Sequence, residues 1–223
     1  VTADHVRRVT AGSGIAAAIL VSVGALLGPS DPPGFDALPE QVVRWTLDDR
    51  RRLLVGSVIV AAGLAALVAF YAGMRAMIGR AEGPPAMLAT VGYASFLVVI
   101  ALGLVGVGFA QVQAFAALDG SPDTVRTLHE ARFVMVNLSA APTIVSAVAF
   151  AMVMVRTGYP ARWLGWGSAL VALAHVPALL ALSRTGTFSP TGGLAQLGPF
   201  VFLVWVLCVS VTLLVGRREL PAN

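Results

Sequence analysis

Lysine is absent from this 223-residue chain: all fifteen cations are arginine, set against 11 acids. Charged residues make up only 12% of the sequence, where a soluble domain carries about a quarter. Cysteine occurs once, as Cys208 inside an apolar run, so an intrachain disulfide is excluded. Histidine occurs three times, as His5, His129 and His175. No pair stands at ligand spacing and no HExxH is present, so a metal centre has no support and no cofactor is expected. A nucleophilic serine in GxSxG is missing too. The arginines flank apolar runs and form no extended soluble patch, which argues against nucleic acid despite the net charge of +4.

What the chain does have is apolar length. Hydrophobic residues make up 57%, and mean hydropathy is +0.84. The charges punctuate uncharged runs of about 19 to 31 residues, the length that crosses a hydrocarbon core about 30 Å thick. Six spans are predicted, near residues 9–27, 53–78, 87–117, 133–155, 163–183 and 197–216. Helices are the expected spanning form, because each backbone group must be satisfied inside its own segment. The alternating ten-residue strands of a barrel are not seen. The reading is an all-α polytopic transmembrane bundle, a single integral membrane domain over 1–223 arranged as three hairpins, with the lipid bilayer as its first partner.

Arginine on an alanine, valine and glycine background points to a GC-rich bacterial genome, with Val1 as a literally translated GTG start. The expected location is therefore the bacterial cytoplasmic (inner) membrane. "RRVTAGSGIAAAILVSVGALLG" resembles a signal peptide, but no clear small-x-small cleavage site follows, so it is read as a retained first helix.

Orientation follows from arginine placement. With the N-terminus inside, eight arginines lie inside and seven outside, which decides little. The even-numbered connections, "GRAEGPP" and "RTGYPAR", are short and arginine-flanked, as cytoplasmic turns are. Both termini are therefore expected inside. The cluster "LDDRRR" then lies outside, at the end of an amphipathic interfacial helix over 38–52 with Trp45 at headgroup level. "VRWTLDDRR" also resembles "VRTLHEAR" at an offset of 81 residues, pairing Asp49 with Glu130 and Arg51 with Arg132. Duplicated hairpins would produce this, and so would chance.

Span four is the most polar. On a helical wheel His129, Arg132, Ser139, Thr143 and Ser146 share one face, with Glu130 and Asn137 nearly opposite. Pro142 is expected to kink the helix. These polar residues read either as interhelical packing or as the wall of a polar vestibule. Span three is too long for the core, so Gln111 and Gln113 reach the outer rim. His175 falls near or beyond the midplane, where an ionisable residue is a functional candidate or a hydrogen-bonded structural one. Asp49, Arg51, Gln111, His129, Glu130, Arg132, Asn137 and His175 are the ligand-binding candidates, converging on an outward-open pocket. The alternative is a set of interfacial salt bridges such as Asp49 with Arg52. Gly103, Gly106 and Gly108 read as close helix packing, not as a nucleotide loop.

At "RTGYPARWLGWGSALVALA", residues 156–174, the chain resembles the six-helix bacterial membrane proteins grouped as domain-of-unknown-function family 4386. The carrying residues are Arg156, Thr157, Gly158, Pro160, Trp163, Leu164, Gly165 and Gly167, followed by a tryptophan-containing last helix. The resemblance implies the fold class and brings no catalytic residues. Three function classes follow: a protein that binds or moves a small or lipidic ligand in an outer-half polar pocket, a membrane-embedded enzyme using His129, Glu130 or His175 as acid or base, and a non-catalytic subunit of a membrane complex.

Overall fold

The computed structural model describes residues 2–216. Val1, Arg217, Arg218 and Glu219, which enter the sequence arguments above, lie outside the described residues. Eight helices follow in order: α1 (Ala3–Leu27), α2 (Pro39–Asp48), α3 (Arg50–Glu82), α4 (Met87–Asp119), α5 (Pro122–Leu138), α6 (Ala140–Thr157), α7 (Arg162–Leu179) and α8 (Gly193–Val215). The described residues contain no strand.

Five segments are long and apolar enough to cross a membrane: α1, α3, α4, the continuous column of α5 and α6 over Pro122–Thr157, and α8. The sixth, α7, has 18 residues, about 27 Å of helix. Arg162, His175 and Pro177 dilute its apolar character. It ends at Leu179, short of the expected 183, because Pro177 has no N–H for the Leu173 carbonyl and the chain tightens into a turn at Leu180.

Each spanning element packs on its neighbours in sequence. α1 packs on α3, α3 on α4, α4 on the α5–α6 column, α6 on α7, α7 on α8, and α8 returns to α1. The bundle is therefore a closed ring of six staves. Its outer surface is clothed in large side chains such as Phe115, Leu173, Phe200 and Val211, all more than half exposed. The helix contacts use small residues instead, as expected where lipid tails compete for every apolar face. At the α1–α3 seam a Cβ on Gly56 would sit 2.7 Å from the Gly24 carbonyl oxygen, so the two backbones touch.

The two ends of the bundle differ. At the end where α1 begins and α8 stops the turns are tight. Glu82 accepts hydrogen bonds from the Leu88 and Ala89 amides at 2.9 and 2.8 Å, capping α4. Gly158 closes α6 at φ +72, a conformation open to glycine without strain. At the other end α2 and the segment 28–38 form a cap. The expected helix over 38–52 is split: α2 stops at Asp48, Asp49 leaves helical geometry (φ −107, ψ 15), and "RRR" opens α3.

The fourth span also breaks, at Ser139 between α5 and α6. Pro142 explains the place. Its missing N–H and its ring both act on the carbonyl four residues back, that of Leu138. The break thus lies one turn before the proline. The segments matched at the 81-residue offset fold differently here: Arg51 lies in the first turn of a helix, and Arg132 lies well inside one.

Candidate functional site

The ring of helices surrounds a partly open cavity of about 540 Å³ in the half of the bundle beneath the cap. That volume lies inside the range of small-molecule sites, about 300–1,000 Å³. All six staves contribute, and Pro29 and Pro32 of the cap segment cover it. Along α3 the wall runs from Leu53 to Leu67, about 21 Å at the helical rise. Phe96 and Phe202, with ring centroids 5.4 Å apart, form part of the floor, and Tyr71 stacks on Phe96 behind them.

The wall is mostly apolar, with few polar groups. Of the eight candidates from the sequence, Arg132 and His175 line it. Ser139 and Thr143, which the helical wheel places on the same face as Arg132, line it as well. Their hydroxyls are engaged: Ser139 donates to the Val136 carbonyl and Thr143 to the Ser139 carbonyl.

Arg132 has no hydrogen bond or ion pair among the described residues. Its Nη1 is enclosed without a partner, and its guanidinium lies 4.6 Å from the centroid of Phe133, another wall residue. The adjacent acid, Glu130, is two residues away and points elsewhere, since positions i and i+2 do not share a helix face.

His175 is buried. Its Nδ1 lies 2.8 Å from the Val171 carbonyl, so the neutral ring carries its proton there and Nε2 is left as an acceptor. Nε2 has no hydrogen-bond partner among the described residues, and the residue lines the cavity. The ring packs tightly against α8. A Cβ on Gly198 would come within 2.9 Å of the imidazole.

The other six candidates do not line the cavity. His129 is fully buried under the cap with both nitrogens engaged. Nε2 lies 3.0 Å from the Pro33 carbonyl, and Nδ1 lies 3.4 Å from Gln113 Nε2, which also donates to Thr46. Glu130 is a latch. Arg126 and Arg184 both reach its Oε1, at 2.9 and 3.1 Å, and both also donate to the Phe35 carbonyl. Asp49 pairs with Arg52 at 3.2 Å. Arg51 is exposed. Gln111 stands behind the wall and donates to Ser57, which does line it. Asn137 is buried away from the lining, with Nδ2 unpaired.

Among the glycines, Gly103 meets Leu64 and Gly106 meets the Arg132 carbonyl, whereas Gly108 faces open space. Gln196 and the two cap prolines were not singled out from the sequence, because only the closure of the ring brings them to the cavity mouth. Among the described residues no group of three or more His, Cys, Asp or Glu is placed to hold a metal ion.

The arrangement offers one unpaired cation and one hydrogen-bond acceptor on an otherwise greasy wall. It can bind an apolar molecule with a polar end. No protein-family model, curated protein or solved structure matches the chain.

Proposed function

We propose that this integral membrane protein binds a small or lipidic ligand in the cavity beneath its cap, and carries or presents it across the outer half of a bacterial inner membrane. The observation that carries the reading is the cavity itself, walled by all six staves and covered by the cap. Interiors are close-packed, and a partly open cavity of this size leaves mostly apolar wall uncovered unless something fills it. The short arginine-flanked turns at the end where α1 begins support placing that end in the cytoplasm and the cap outside. The resemblance over residues 156–174 belongs to the same reading of a six-span membrane protein and adds no chemistry.

The enzyme reading has less support. Glu130 and His129 are consumed by the cap, and only His175 keeps a free nitrogen. The subunit reading leaves the cavity without a use.

Native mass spectrometry of the protein released from nanodiscs tests the proposal. The wild type is expected to carry a bound mass. A Val60→Trp, Val99→Trp double variant fills the cavity from two walls and is expected to lose that mass while keeping its helical circular dichroism. A wild type that carries no adduct in any lipid mixture would overturn the reading.

A further inference from the structure

Arg132 has no counter-ion among the described residues. The other arginines at the cap end are paired, bonded or exposed. Arg52 is with Asp49, Arg126 and Arg184 are with Glu130, and Arg50 donates to the Ala114 carbonyl at 2.9 Å. Arg44 and Arg51 are exposed. Arg132 alone among these is set in the cavity wall, with one nitrogen enclosed and unpartnered and no hydrogen bond from the rest of its fork among the described residues. A guanidinium stays charged in proteins, and a charge taken out of water and left unpaired is strongly unfavourable. No acid among the described residues pairs with it. The missing partner is an anion that enters the cavity.

Its chemistry can be narrowed. A planar five-donor fork matches a carboxylate or a phosphate oxygen pair. One cation suits one negative charge, not a polyanion. Below Arg132 the wall is mostly apolar down to the floor, through Val60, Leu64, Val99 and Phe202, and the hydroxyls of Ser139 and Thr143 within it are already bonded to backbone carbonyls. The Arg132 backbone lies against Gly106, ten residues along α4 from Phe96, so about 15 Å of cavity depth lies beneath the charge. A tail of that length packs against aliphatic and aromatic carbon.

Resting on the proposed cavity binding, we infer that the ligand is an amphiphile with a single anionic head and one alkyl tail. Its carboxylate or phosphate is held by Arg132 and its tail runs toward Phe96. A charge-assisted pair with a partly enclosed guanidinium should favour the acid over a matched neutral head by at least about tenfold.

The experiment measures binding of four probes to the full chain in nanodiscs of zwitterionic lipid, by competition against a fluorescent fatty acid. The probes are lauric acid, lauryl phosphate, lauryl alcohol and inorganic phosphate. The inference expects an acid, carboxylic or phosphoric, to bind about tenfold or more tighter than the alcohol, with inorganic phosphate far weaker than either. In Arg132→Gln the acid should fall to the level of the alcohol, and the alcohol should be unchanged. Arg132→Lys should recover part of the preference.

Equal binding of acid and alcohol by wild type would overturn the anion assignment and leave the cavity reading standing. Inorganic phosphate binding as well as lauryl phosphate would overturn the tail. No binding of either lauric acid or the alcohol would overturn the inference together with the cavity reading. The wild-type preference decides the matter even if a variant fails to fold.

Discussion

His129 Nε2 lies 3.0 Å from the carbonyl oxygen of Pro33, a residue 96 positions earlier in the chain. The carbonyl has no proton, so the imidazole donates, and the cap segment is pinned to the top of α5 through one ring. The opposite nitrogen completes the pin, because it accepts from Gln113 on α4.

His129→Ala should release the cap. The variant loses two buried hydrogen bonds and leaves a small void, for a destabilisation of about 2–4 kcal/mol. Hydrogen exchange of the amides between residues 28 and 38 should quicken before that of α3 and α4. Unchanged exchange in that segment would mean that the pin does not hold the cap.

Glu130→Gln separates latch from catalyst. The carboxylate is partly exposed, as are both arginines that reach it, and pairs of this kind contribute about 0–1 kcal/mol each. A small loss of thermal stability is expected, shrinking in high salt. Binding in the cavity should be unaltered, because Glu130 does not line it. A loss of ligand affinity in the folded variant would contradict this placement.

Gly198→Ala drives a methyl group into the imidazole of His175, with approach distances of 2.9 Å. Real Cβ atoms do not come this close, so α8 must move away from α7, at a cost of about 1–3 kcal/mol. His175→Ala should relieve part of that cost in the double variant. The Ala174 carbonyl, 3.1 Å from the same Cβ, keeps relief incomplete. A thermal double-mutant cycle reads the coupling, and strict additivity would argue that the two residues do not touch.

Six stretches of uncharged residues and the placement of arginine made the staves legible in the sequence. Their ends were less so. α3 runs to Glu82, beyond the expected 78, because helix continues past the hydrocarbon boundary as long as the backbone bonds do. The split at Asp49 and the break at Ser139 depend on how the cap seats, which is tertiary. The wheel on span four already grouped Arg132 with Ser139 and Thr143. It also grouped them with His129, because an angle around a helix says nothing about height along it. His129 sits one turn higher, under the cap. His175 was readable by depth alone. The roles of Glu130 and Gln111 were not, since each is set by a partner far along the chain, Arg184 and Ser57 respectively.

The closing contact of the ring is between α8 and α1, where a Cβ on Gly14 would strike Ser210 and where Arg7 bonds the Gly216 carbonyl. The eighth helix is thus the one that shuts the ring against the first. Without α8 the ring stands open on one side, so that Arg132 and His175 would meet lipid instead of a surrounded chamber. Charged and polar groups are poorly tolerated there. Docking of α8 therefore completes the surroundings of two distant side chains at once, and the chamber needs all six staves in place before it exists.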